Sequence, residues 1–310
     1  MKYFLRNNSR NGNDESVYYK HKMKEVNPSV NSIQDYYKIT MSKKEFLQLS
    51  NFIQKEAGIK MPEVKKTMLQ SRLQKRLRQL QITSFEEYIE FAFKKGNESE
   101  VLHMIDVVST NKTDFYREPL HFKYMTDDLL PNLIKKLNHK TIKVWSAGCS
   151  SGEEVYTIAI TMQEFINLHP EYDYHILGTD ISNDILNKAM AGIYKLEKTD
   201  PIPMEVKKKY FLKSKNKISP TVKVMSSLTN KTAFRRLNFM DDHYQINDMF
   251  DIVFCRNVLI YFERENQEKV INKICSHLRT GGIFFLGHSE SIMNMDVPLK
   301  QIRPTVFEKI

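Results

Sequence analysis

Cysteine is scarce. The three in this chain of 310 residues, Cys149, Cys255 and Cys275, are too scattered for a disulfide framework or a zinc-ligand pattern. A reducing compartment is the default expectation. No apolar run approaches the roughly 20 residues that cross a bilayer. The N-terminal stretch is polar and Asn-rich, without the apolar core of a secretory signal. The expectation is a cytoplasmic protein with no direct membrane insertion. The dinucleotide fingerprint G-x-G-x-x-G is also missing, which disfavours nicotinamide and flavin cofactors. No His/Cys/acid group has ligand spacing, so no metal is expected. No convincing His–carboxylate pair offers a general base.

Positive charge is what the chain has in excess. Lys and Arg number 47 against 37 Asp and Glu, a formal charge of +10. That balance suits an acidic partner, whether nucleic acid, a membrane surface or a carboxylate-rich protein. The length suits two domains, or one large domain with an appendage.

Residues 1–40 carry no apolar periodicity and read as a disordered or loosely docked tail. Residues 41–108 read as a helical domain. Ser42 with Glu45 forms a capping-box pattern before Phe46-Leu47. A second helix, from about Glu63 to Leu80, has its apolar stripe at Leu69, Leu73, Leu77 and Leu80. A third starts at Ser84 and a fourth covers about Glu98 to Val108. Residues 109–139 form a linker or lid. From residue 140 to 310 strands and helices alternate: Ile142–Trp145, Gly152–Leu168, Tyr174–Gly178, Ser182–Ala191, Asp251–Phe254, Glu265–Leu278, Ile283–Leu286 and Val306–Ile310. This alternation predicts an α/β fold, a mostly parallel sheet with helices on both faces. Between about 200 and 236, Val222–Met225 and Thr232–Phe234 suggest a small inserted β-element.

Three strand ends break the apolar pattern with polar groups, where open α/β sheets bind ligands. The first runs Trp145-Ser146-Ala147-Gly148-Cys149-Ser150-Ser151-Gly152-Glu153-Glu154. Its small residues let a ligand approach the backbone. Glu153 and Glu154 at the helix start complete the dipole and turn that end from anions toward cations. The second ends in Gly178-Thr179-Asp180, with an acid placed to grip ribose hydroxyls. The third is Cys255-Arg256-Asn257. A ligand with a ribose, a positive charge and no phosphate fits all three, as S-adenosylmethionine does. Upstream, Ser109 to Pro119 leads six polar residues into Phe115-Tyr116-Arg117 at the domain junction, where ligand clefts form.

Together these segments resemble the CheR family of chemotaxis receptor methyltransferases, over about Met41 to Ile310. The motifs are Asn111-x-Thr113-x-Phe115-Tyr116-Arg117-Glu118-Pro119, the Trp145–Glu154 run, Asp180-Ile181, Asn238 after Phe234, the Cys255–Phe262 run and Gly287-His288-Ser289-Glu290. The resemblance implies a Rossmann-like S-adenosylmethionine-dependent methyltransferase that esterifies chemoreceptor glutamates and releases S-adenosylhomocysteine. It implies Asn111, Thr113 and Arg117 on the cofactor from the lid, one of Glu153 and Glu154 with Asp180 on its amino and ribose groups, Asn238 and Phe239 at the adenine, and Arg256 with Asn257 as the floor. Arg117 and Tyr261 would face the transferred methyl as catalytic residues. Val155 stands where the family usually has proline, and Gly148 and Gly178 where alanine is usual, which should loosen the backbone slightly. His288 reads as a hydrogen-bonded structural histidine.

The basic helix carries Lys65, Arg72, Lys75 and Arg76. Given that resemblance, these are the expected docking residues for the negatively charged helical bundle of a chemoreceptor. A monomer is the expected state. Nucleic acid is not an expected partner. Amino-methylating DNA enzymes need a polar-Pro-Pro-aromatic loop at the fourth strand, and this chain has Arg256-Asn257-Val258-Leu259 there. A non-catalytic binding module is disfavoured by the intact Arg117 and Tyr261.

Overall fold

A computed structural model describes residues 33–216 and 218–310. The strands in chain order are β1 (Thr141–Ala147), β2 (Asp173–Asp180), β3 (Ile193–Lys195), β4 (Phe211–Lys213), β5 (Thr221–Val224), β6 (Thr232–Arg236), β7 (Phe250–Cys255), β8 (Leu278–Leu286), β9 (Leu299–Arg303) and β10 (Val306–Lys309). Seven form the main sheet in the order β6-β2-β1-β7-β8-β10-β9. The first five run parallel, and β10 is antiparallel to both β8 and β9. Every residue of β7 is buried, the pattern of a strand covered on both faces. One apolar cluster, built on Val144, Ile176, Ile252 and Phe254, fills one face, and another, on Trp145, Val253 and Phe284, fills the other. The chain leaves β1 for β2 and β6 on one side, then returns to β7 on the other. The crevice beyond the ends of β1 and β7 is therefore the topological switch point, where ligands bind in such sheets.

The helical domain forms as its caps and stripes predict. Ser42 and Glu45 make both bonds of the capping box on the helix Lys43–Ala57. Ser84 caps Phe85–Phe93. Leu69, Leu73 and Leu77 of the helix Lys66–Leu80 are fully enclosed against Phe46, Leu49, Phe85 and Tyr88. Gly58, at φ 71°, ends the first of these helices. A side chain there would meet Phe262 at 2.4 Å, so glycine lets the two domains touch. Lys60 N–H donates to Tyr261 O (2.8 Å), and Asn238 Nδ2 donates to Glu56 O (2.6 Å).

Three boundaries differ from the sequence reading. Of the expected tail, residues 1–32 lie outside the described residues, but Ile33–Lys38 is a helix packed on the helical domain. Gln74 Nε2 donates to Tyr37 O and Ile39 O just there. The inserted β-element is β3-β5-β4, spanning 193–224, and not 200–236. Thr232–Arg236 is instead β6, the edge strand of the main sheet, paired with β2. The helix expected to reach Leu278 ends at Cys275, and Leu278 opens β8. Strand β9 has four exposed residues in five and so shows no apolar pattern to read.

Candidate active site

A cleft lies over the switch point between the two domains, its empty space of about 1070 Å³ continuous with solvent. The lid segment contributes Asn111, Thr113 and Arg117. The strand ends contribute Glu154, Asp180, Arg256 and Asn257. Asn238, Phe239 and Tyr261 complete the expected set. Glu153 does not line the cavity. Its carboxylate accepts from Ser151 Oγ instead (2.6 Å), so the geometry singles out Glu154 of the pair.

Each strand end is fixed by hydrogen bonds. After β1, the N–H groups of Gly148 and Cys149 both donate to Thr179 O at 2.8 Å, tying this loop to the end of β2. Asp180 then accepts from Ser150 N–H on one oxygen (2.9 Å) and Ser182 N–H on the other (3.0 Å). Ser182 itself caps the next helix, which frees Asp180 from that task. Burial pushes the Asp180 carboxyl up, against the pull of its backbone donors. Glu154 accepts from Ser146 Oγ (2.7 Å) and faces Arg256 Nε at 3.6 Å. Burial raises its carboxyl too, opposed by Arg256. The lid is anchored rather than loose. Ser150 Oγ donates to Asn111 O, Tyr116 N–H to Thr157 Oγ1, and Phe115 is sunk edge-on against Tyr194.

Two carboxylates that sequence reasoning left without a role organise the third strand end. Glu290 accepts four backbone N–H groups: Asn257 and Gly287 on one oxygen, Val258 and Leu259 on the other, all within 2.9 Å. It thereby holds the turn that presents Asn257 and leads to Tyr261, with Asn257 at a left-handed φ of 59°. Glu118, also left-handed at φ 57°, accepts from Asn257 Nδ2 (3.4 Å) and His288 N–H (3.2 Å) and lies 3.3 Å from Arg256 Nη2. Such outliers persist where surrounding contacts over-determine them. Glu290→Ala strands several buried donors at about 1–3 kcal/mol each, offset where water enters. A loss of about 2–4 kcal/mol in urea unfolding is expected, and an unchanged midpoint would show that the turn holds itself.

The departures from the family pattern do not loosen the backbone. Gly148 sits at φ 86°, and a Cβ there would lie 2.3 Å from Val258 Cγ2. At Gly178 a Cβ would meet Phe234 at 2.8 Å and Val155 Cγ2 at 3.0 Å. Val155 thus occupies the space that an alanine methyl at position 178 would need, and the two departures compensate each other.

Residues 111–307 match the family described as CheR methyltransferase, SAM binding domain, and residues 44–109 match CheR methyltransferase, all-alpha domain. The chain is 35% identical to the chemotaxis protein methyltransferase of Borreliella burgdorferi, over 87% of this chain and 96% of that one. It is 31% identical to chemotaxis protein methyltransferase 2 of Pseudomonas aeruginosa, covering 86% and 93%. Against the chemotaxis protein methyltransferase of Salmonella typhimurium the identity is 31%, covering 83% and 87%. The chain belongs to the CheR methyltransferase family.

A CheR methyltransferase takes its methyl group from S-adenosylmethionine, and the residues present fit that group. Arg256 is buried, yet its Nε and Nη1 have no hydrogen-bond partner among the described residues. Nε faces Glu154 at 3.6 Å, and Nη1 has no ion-pair partner among the described residues, so the guanidinium keeps a donor for a ligand carboxylate. Asp180 and Glu154 offer carboxylate oxygens to hydroxyl and ammonium groups, and the helix that follows β1 opens with two glutamates, which repel phosphate.

In this CheR methyltransferase the basic helix does not present its arginines as expected. Arg72 Nη1 donates to Val107 O, Val108 O and Ser109 O, closing the C-terminus of the helix Glu98–Val108. Arg76 grips the buried Glu100 with Nε and Nη2, and Tyr88 Oη donates to the same carboxylate. Both arginines are spent inside the domain. Lys75 is exposed, and Lys65 sits at the cavity, 5.7 Å above the Tyr261 ring. Two further expectations also change. His288 is exposed rather than structural, and the absence of any ligand cluster does not hold, because Glu118, His121 and His288 come together behind the cavity floor. No helix among the described residues is long and apolar enough to cross a membrane.

Proposed function

We propose that this CheR methyltransferase esterifies glutamate side chains on the cytoplasmic helical bundle of a chemoreceptor, leaving glutamyl methyl esters as part of sensory adaptation. The observation that carries the reading is the meeting of Asp180, Glu154 and Arg256 at one cavity whose mouth also holds Arg117 and Tyr261. S-adenosylmethionine supplies, when bound, a methyl group on a positively charged sulfur. Asp180 accepts the ribose hydroxyls, Glu154 the amino group, and Arg256 with its spare N–H groups binds the carboxylate. Asn238 and Phe239 border the base. Asn111 and Thr113 close the lid.

The acceptor glutamate has a reference pKa of about 4.3 and is ionised near neutral pH, so no residue has to remove a proton. The work left to the protein is alignment, which can supply about 7–11 kcal/mol, and exclusion of water while opposite charges disperse. Phe122, Val258 and Phe239 give the cavity its apolar wall. Arg117 Nη1 already donates to Lys112 O (3.0 Å). Its remaining donors can orient the incoming carboxylate loosely, without the tight ion pair that would blunt its attack. The Tyr261 hydroxyl positions the same group.

With radiolabelled donor and receptor-rich membranes, Arg117→Ala and Tyr261→Phe are each expected to cut turnover by about 10²-fold, the typical cost of lost alignment. Tyr261→Phe should leave S-adenosylhomocysteine affinity unchanged. The label should leave as methanol in mild alkali. Alkali-stable label would mean an N-methyl product and would refute the carboxyl acceptor. For docking, exposed Lys75 remains as a free charge of the basic helix, whereas Lys65 Nζ donates to Lys60 O (3.2 Å) beside the cavity. Lys75→Glu should slow methylation at low salt and converge with wild type at high salt.

A further inference from the structure

Behind the cavity floor, three side chains from two distant segments converge. Glu118 and His121 flank the start of the helix Pro119–Tyr124, and His288 follows β8. None of the three lines the cofactor cavity. His121 is 4% exposed. Its Nε2 lies 2.8 Å from Thr305 Oγ1, and that hydroxyl spends its own proton on Pro304 O at 2.7 Å. With that hydroxyl donating to Pro304 O, Thr305 Oγ1 accepts from His121 in the tautomer that carries the ring proton on Nε2. The Nδ1 atom is left with a bare lone pair. It has no hydrogen-bond partner among the described residues, nor does Glu118 Oε2, and the two face each other at 3.6 Å. Glu118 Oε2 has Arg256 Nη2 at 3.3 Å on one side, but nothing cationic lies between it and the His121 lone pair, a repulsive contact that a second cation there would relieve. His288 Nε2 is 3.9 Å from the same oxygen, and the three ligand atoms lie within 4.8 Å of one another.

We propose that Glu118 Oε2, His121 Nδ1 and His288 Nε2 form a binding site for a divalent cation of the zinc class. With bonds of about 2.0–2.2 Å in tetrahedral geometry, neighbouring ligand atoms stand about 3.3–3.5 Å apart. The two separations from Glu118 need a few tenths of an ångström of closure, and the two histidine nitrogens, within 4.8 Å of each other, need up to about 1.4 Å, which exposed His288 is free to provide. The Thr305 bond to Nε2–H is the outer support that metal-bound histidines regularly have, fixing tautomer and ring plane. Two imidazoles and one carboxylate leave a fourth position for water. Arg256 shares Glu118, but it also faces Glu154, so a cation at Glu118 does not strip the arginine of its counter-charge. The ligands are 170 residues apart in the extreme pair, which is why no spacing in the sequence announces them.

The test is calorimetric titration of the full-length protein, stripped with chelator and exchanged into clean buffer, with zinc chloride alone. One site per chain is expected. Cobalt(II) as a probe should give the intense visible bands of a four-coordinate N/O site, without a cobalt–thiolate charge-transfer band. Loss of an outer-sphere partner alone typically costs 10–100-fold in metal affinity, so removing a ligand by His288→Ala or His121→Gln should cost about 100-fold. His288 is exposed, so its variant decides the matter even if His121→Gln does not fold. Absence of binding, an unchanged affinity in His288→Ala, or a thiolate band from the cysteines would each overturn the assignment.

Discussion

Arg76→Ala is expected to destabilise the helical domain by about 3–5 kcal/mol, the usual cost of removing one partner from a buried ion pair. Glu100 is only 4% exposed beneath Arg76, whose side chain is 21% exposed. It accepts Arg76 Nε at 3.0 Å and Tyr88 Oη at 3.0 Å, with Nη2 closing the bidentate fork. Take the guanidinium away, and the carboxylate keeps only a phenol. The Tyr88 phenol is pushed far above its ordinary range, first by burial and then by Glu100, so it stays a neutral donor. The side-chain bond to Glu100 holds the Arg76 guanidinium more firmly charged than usual, against the cost of its partial burial. Arg76→Lys should recover part of the loss, since an ammonium replaces the charge but not the fork.

This outcome separates two roles that charge reversal on the helix would confuse. If Arg76→Ala kept its urea midpoint while receptor methylation collapsed, the arginine would be a docking residue after all. The expected pattern is the reverse: a lower midpoint, with methylation lost in proportion to unfolded protein. Lys75→Glu, on an exposed neighbour with no internal partner to strand, should move methylation and leave the midpoint alone.

What the sequence made legible was local. Ser42, Ser84 and Ser182 announce helix starts because a cap oxygen and the backbone N–H that donates to it lie within three residues. The strand ends at Ala147, Asp180 and Cys255 are legible because apolar runs stop against polar residues that packing cannot explain. The rest depends on partners remote in the chain. Arg76 reads as a docking residue because Glu100, its internal partner, lies 24 residues away. Glu290 reaches the Asn257 backbone N–H across 33 residues, and Glu118 reaches the Asn257 side chain across 139. Thr232–Phe234, the start of β6, reads as part of the insert because it lies among Ser/Asn/Pro clusters in the stretch that breaks the strand–helix rhythm. Its only strong tie is to β2, which no periodicity within the segment can reveal.

Asp180→Asn should weaken S-adenosylhomocysteine by about 10²–10⁴-fold, the largest binding effect in the site. Each carboxylate oxygen of Asp180 already takes one backbone N–H, from Ser150 and Ser182, and keeps a second lone pair for the cavity. A ribose diol fills those two positions with charge-assisted bonds worth about 1.5–3 kcal/mol each. Asparagine offers one oxygen. Whichever way the amide turns, its NH₂ faces a backbone donor, at Ser150 or Ser182, so the variant loses a ligand bond and displaces the loop after β1. The same carboxylate gives a pH signature. Burial raises its pKa in the empty site, and ligand hydroxyls that bind the charged form lower it on binding. Affinity must then fall as pH falls, beginning above the range where exposed carboxylates titrate. Glu154, raised by burial as well, contributes in the same direction. Asp180→Asn should therefore flatten the pH profile of calorimetric affinity without abolishing its slope. An unchanged profile and affinity in this variant would mean that the ribose is held elsewhere.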